Sequence, residues 1–226
     1  MREQGRFVEA LQALRQGHQL GSKRPGWPPP PADWVRRCER LIDLDRLLPK
    51  VLRGNAQPTT AADCLELAWI CQRPNKRLHV AATRFAADAF AADPNLANDF
   101  RKQHRYHAAC SAALAAAGQG EDARLLSEQA VPALRRQALT WLRADLAVYA
   151  RSAKGDPKQK AAVRQRLAHW QQDAALASVR DKAIDRLPED ERAAWRQFWD
   201  DVESLRKEVS GEPATSTLSR GGAARY

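Results

Sequence analysis

Between Trp195 and Val209 the large apolar side chains stand at Trp195, Phe198, Val202, Leu205 and Val209, three or four residues apart each time. That spacing puts all five on one stripe of an α-helix, whereas a strand would throw alternate positions onto opposite faces. It is the strongest amphipathic stripe in the chain, and weaker versions recur upstream between breaks of Pro, Gly and Asn. Hydrophobic residues make up 44% of the 226 and glycines number only 11, so a packed core is within reach while the turns that sheets need are scarce. The pattern predicts an all-α fold.

The breaks divide the chain. Residues 1–20 read as half of a helical hairpin, with Phe7, Leu11 and Leu14 on its apolar face. A helical unit of this kind buries that face only against neighbours, so a first helix is expected upstream of Met1; otherwise a Pro-rich crossing carrying Trp27, or a second copy of the chain, must cover it. Residues 21–59 hold the run Pro28 to Pro31, which cannot be helical, and then a helix from Asp33 to Leu48 stopped by Pro49. Residues 60–154 form two hairpins: a helix over 60–72, capped by Thr59 or Thr60, with a partner over 76–92, and a helix over 102–117 with a partner over 133–150. In the 60–72 helix the core side is read as Ala61, Cys64, Leu65, Ala68, Trp69 and Cys71 or Gln72. Alanines 108, 109, 112 and 113 allow close helix approach, and Gly118 and Gly120 suit a left-handed cap. Residues 155–209 carry three more helices, 158–171, 173–186 and 189–209, and residues 210–226 lack periodicity, as a disordered tail does.

The Ala-x3-large-x2-small spacing of Ala10/Leu14/Gly17 and of Ala138/Leu142/Asp145 resembles the second helix of a tetratricopeptide repeat, with a degenerate copy at Ala82/Ala86/Ala89, and Tyr106-His-Ala-Ala-Cys110 with Gly118 resembles the first. More narrowly, Gly17-His-Gln-Leu-Gly-Ser-Lys-Arg-Pro-Gly-Trp27, Ala138-Leu-Thr-Trp-Leu-Arg-Ala-Asp-Leu146, His169-Trp-Gln-Gln-Asp173 and Trp195-Arg-Gln-Phe-Trp199 resemble the C-terminal tetratricopeptide-like repeat region of large bacterial serine/threonine kinases of the eukaryotic type. The resemblance implies an α-solenoid with a C-terminal helical extension and a non-catalytic protein-interaction or scaffold role behind a kinase domain. The kinase motifs themselves are absent from this chain: no Gly-rich phosphate loop, HRD loop or DFG. On this reading the chain is not an enzyme and needs no cofactor.

Candidate chemistry gives way to bland readings. His104, His107 and Cys110 share a helix face, but a metal site needs about four ligands and no second Cys/His pair supplies the rest. Glu121-Asp122 and Asp200-Asp201 read as solvated carboxylates, and neither Ser127 nor Ser178 has a patterned His and acid nearby. The four cysteines lack a CxxC pair and read as packing residues in a reducing compartment. No segment approaches the ~18 uninterrupted apolar residues of a membrane span. A cytoplasmic location without a membrane partner is expected.

Net charge is +10. Lys and Arg outnumber Asp and Glu by 11 to 6 over residues 1–60 and by 13 to 9 over 61–154, whereas residues 155–209 balance at 11 to 11. An anionic partner is therefore expected at the N-terminal part. Arg73, Lys76, Arg77, Arg101, Lys102 and Arg105 flank the middle hairpin and are the candidate partner-binding residues, on the expectation that the turns fold onto one edge. An acidic protein or peptide is the expected ligand, with a basic helical nucleic-acid-binding module as the alternative.

Overall fold

The computed structural model describes residues 1–21, 23, 26 and 32–211. Most of the Pro-rich crossing, with Trp27, and nearly all of the tail read as disordered lie outside the described residues. Within them the chain is helical and no strand occurs. It divides into two compact units, Met1–Asp145 and Leu146–Tyr226, and the division falls inside a helix rather than at the Gly155-Asp156-Pro157 break.

The first unit begins with a single 3-10 turn, Arg2–Gln4, followed by α1 (Phe7–Gly21), α2 (Ala32–Leu52), α3 (Ala61–Cys71), α4 (His79–Ala92) and α5 (His104–Ala116). Successive helices pack on one another, α1 on α2, α2 on α3, α3 on α4 and α4 on α5. Helix α6 (Ala130–Ser152) carries the division between the units. The apolar face of α1 finds cover inside this unit. Phe7 is 3% exposed, with its ring 5.8 Å from that of Trp69 in α3, and Leu11 is also buried. Arg73 reaches back to the Glu3 carboxylate at 2.6 Å, and Asn75 donates to the Gly5 carbonyl. Within the described residues α2, on which α1 packs, and Trp69 of α3 cover part of this face, while the expected cover by Trp27 lies outside the described residues.

Two other expectations are corrected by packing in this unit. Pro49 does not stop α2, which runs on to Leu52. The missing donor falls in the last turn, with only three residues still to place, and Leu48 and Val51 are both buried there. In α3 the buried set is Asp63, Leu67, Ala68, Ile70 and Cys71, so the core side is rotated from the one read in the sequence; Cys64, Leu65 and Trp69 are only half-buried. A helix packed on more than one side shows no clean stripe. Thr60 caps it through a reciprocal box with Asp63.

The second unit holds the end of α6, α7 (Pro157–Gln172) and α8 (Glu189–Ser210). Between α7 and α8 the expected single helix is replaced by two 3-10 segments, Ala174–Val179 and Asp181–Arg186, with extended Arg180 between them. Side chains take over the freed carbonyls: Arg180 donates to those of Trp170 and Asp173, and the Trp199 indole donates to that of Val179. The α8 stripe predicted from spacing is the core. Trp195, Phe198, Val202 and Leu205 are buried, and Trp170 of α7 sits 5.1 Å from the Tyr149 ring and 6.1 Å from that of Phe198. Among the described residues no helix is long and apolar enough to cross a membrane.

Candidate functional site

The six basic candidates do not gather on one edge. Arg73, Lys76 and Arg77 lie in the turn before α4, and Arg101, Lys102 and Arg105 lie beyond its other end, about 20 Å away along a 14-residue helix. Most are also engaged. The Arg73 side chain is half-buried against Trp69, its guanidinium 4.0 Å from the ring, and pairs with Glu3; desolvation lowers its pKa while Glu3 raises it. Lys76 pairs with Asp45 at 2.8 Å and Lys102 with Asp99 at 3.6 Å.

Arg105 points inward. It is 8% exposed and donates to Asp145 of α6 at 2.9 Å and to Asn98 at 2.5 Å, so the cation read as a docking residue is a buried tie between the start of α5 and α6. Arg77 and Arg101 are exposed. Arg77 adopts φ 52°, and its carbonyl accepts from Glu121.

That bond leads to a feature the sequence reading missed. Leu78, the residue ahead of α4, offers no capping side chain; Asp122, 42 residues beyond Val80, accepts from the backbone amides of Val80 at 3.2 Å and Ala81 at 2.8 Å. The loop after α5 therefore caps α4 from a distance. Gly120 makes the approach feasible. It sits at φ 110°, where a Cβ would lie 2.7 Å from the Arg77 carbonyl oxygen and 2.9 Å from His79. His79 is buried beneath, and burial holds its pKa below the ordinary value despite the nearby Asp122 carboxylate. Asp122→Ala is expected to cost about 1 kcal/mol in chemical denaturation, as loss of an N-cap does, while Glu121→Ala, at an exposed partner of Arg124, changes little. Equal effects of the two would contradict the remote cap.

The other chemical candidates stay dispersed. His107 is exposed, His104 half-buried and Cys110 buried, and no cluster of three or more metal-ligating side chains occurs among the described residues. All four cysteines are free thiols; burial pushes that of Cys71 up to about 12.

Open space lies elsewhere, around the loop between α2 and α3. One cleft of about 490 Å³ is bounded by Val51 of α2, the 54–60 loop, Cys64 of α3, and Phe85, Arg84 and Asp88 of α4. A second, of about 530 Å³, lies against α2 between Arg36 and Leu47 and reaches Asp63. Thr59 lines both, so they adjoin. Arg84 stacks over the Phe85 ring at 5.0 Å, and neither it nor Asp88 has an ion-pair partner among the described residues. Arg40, which lines the second cleft, pairs with Asp63 and Glu66. The lining mixes apolar side chains, Val51, Phe85, Leu44 and Leu47, with charged ones of both signs. Such a surface can seat a side-chain-bearing chain. Comparisons with family models, with curated proteins and with solved structures find no match to this chain.

Proposed function

We propose that the chain is a non-catalytic helical protein-interaction module, of the tetratricopeptide-like solenoid kind, whose first unit binds an extended segment of a partner protein over the paired clefts around the α2–α3 loop. The observation that carries this is the clefts' continuity through Thr59, together spanning the faces of α2 and α4 with Leu44, Leu47 and Phe85 beside Arg36, Arg84 and Asp88 in their lining. Apolar anchors beside polar groups are what a peptide interface needs. Arg84 and Asp88, without partners of their own, favour a segment carrying both a carboxylate and a cation.

In the longer setting suggested by the resemblance, the module follows a serine/threonine kinase domain and holds a partner or substrate for it. Fluorescence polarisation with an array of labelled 15-residue peptides of mixed charge and apolar content tests the proposal. Micromolar binding of a subset is expected, lost at least tenfold in Arg84→Glu, whose side chain is exposed and whose fold circular dichroism verifies. Binding unaffected by that change, or no peptide bound, contradicts it.

A further inference from the structure

The even charge balance of residues 155–209 hides a segregation. Ten of its eleven acids lie at Asp173 or beyond, whereas residues 129–172 carry nine Lys and Arg against two acids, Asp145 and Asp156. Both acids are occupied: Asp145 is buried against Arg105, and Asp156 caps α7 by accepting from the Gln159 amide at 2.8 Å. Within this stretch, Arg151 at the end of α6, Lys154 in the following turn, and Lys158, Lys160 and Arg164 of α7 are all exposed, and none forms an ion pair with a described residue. Five uncompensated cations thus sit within fourteen residues of the second unit.

We infer that this corner, the α6–α7 turn with the first two turns of α7, is a binding surface for the phosphate backbone of double-stranded nucleic acid. Two observations select that ligand. Among the described residues the second unit exposes no large hydrophobic side chain, so it offers none of the apolar anchors that a folded protein partner would use. Its nearest aromatic rings, Tyr149 and Trp170, are buried, so no platform exists for stacking unpaired bases. What is left is fixed positive charge, which suits a regular array of phosphates and reads no sequence.

The surface is separate from the peptide clefts and stands or falls independently of them. It is tested by fluorescence anisotropy on the full chain with a short labelled DNA duplex, titrated between about 50 and 200 mM salt, beside a single strand of equal length and poly-L-glutamate. The duplex is expected to bind best, with affinity falling by about 0.9 log unit per log unit of salt for each phosphate contacted, a slope of about −4 to −5 for five contacts. Lys154→Glu/Lys158→Glu/Lys160→Glu should weaken duplex binding at least tenfold, and should reduce the slope by about 3. The neutral Lys→Gln version, gentler on the fold, should weaken it in the same direction, while Arg77→Glu/Arg101→Glu in the first unit should change it less than twofold. Duplex binding that survives the triple change, no binding at the lowest salt, or tighter binding of poly-L-glutamate or the single strand would overturn the inference.

Discussion

Asp145→Ala is expected to destabilise the protein by about 3–5 kcal/mol, the cost of leaving one member of a buried ion pair without its counter-charge. Arg105 and Asp145 are each under 10% exposed, and they join the start of α5 to α6. Unlike the surface pairs, such as Arg15 with Glu39, this one cannot exchange its partner for water when the partner is removed. Arg105→Met should be damaging in the same way, since it leaves the Asp145 carboxylate buried without a counter-charge. The double change Arg105→Met/Asp145→Leu should recover most of the loss, because an apolar pair of similar volume has no desolvation cost to offset. Denaturant midpoints for the three variants check this. A single change costing under 1 kcal/mol would mean the pair is wetter than the packing indicates.

The second large effect belongs to the other unit. Trp170 is fully buried between Tyr149 and Phe198, and Trp195 meets Phe198 edge-on at 6.0 Å, so one indole joins the end of α6, α7 and α8. Trp170→Ala should cost about 3–5 kcal/mol through lost burial and the cavity left behind, a large part of the ~5–15 kcal/mol typical of a folded domain. Trp170→Phe should cost less than half as much, since it keeps an aromatic face toward both neighbours. Thermal and urea unfolding followed by circular dichroism would show the ordering; an alanine variant as stable as the phenylalanine one would place the core of this unit elsewhere.

Periodicity carried the fold further than it carried the site. The α8 stripe, the alanines of α5 and the Thr60 cap were legible because each depends on neighbours a turn or less away in sequence. Leu67 and Ile70 are core residues outside the stripe that spacing picks out, because α3 is enclosed on more than one side, which erases the contrast that periodicity reads. The 173–186 segment reads as one helix because Arg180 and Trp199, the side chains that satisfy its broken backbone, act from outside any local pattern. Asp122 looked like a solvated loop carboxylate for the same reason: its partners, the amides of Val80 and Ala81, are some forty residues earlier. Arg105 shows the limit of charge counting, since a count cannot separate a cation turned inward from one in water. The paired clefts had no signature at all. They lie beside the 54–60 loop, and their lining residues come from α2, that loop, α3 and α4.

Binding of a protein segment by the first unit in those clefts is tested by amide chemical-shift mapping with the best-binding peptide of the array. Shifts are expected to be confined to the α2–α3 loop and the adjoining faces of α2 and α4, around Leu47, Thr59, Arg84 and Asp88, with residues 151–164 unmoved. Shifts centred on 151–164, or spread evenly over the surface, would contradict it.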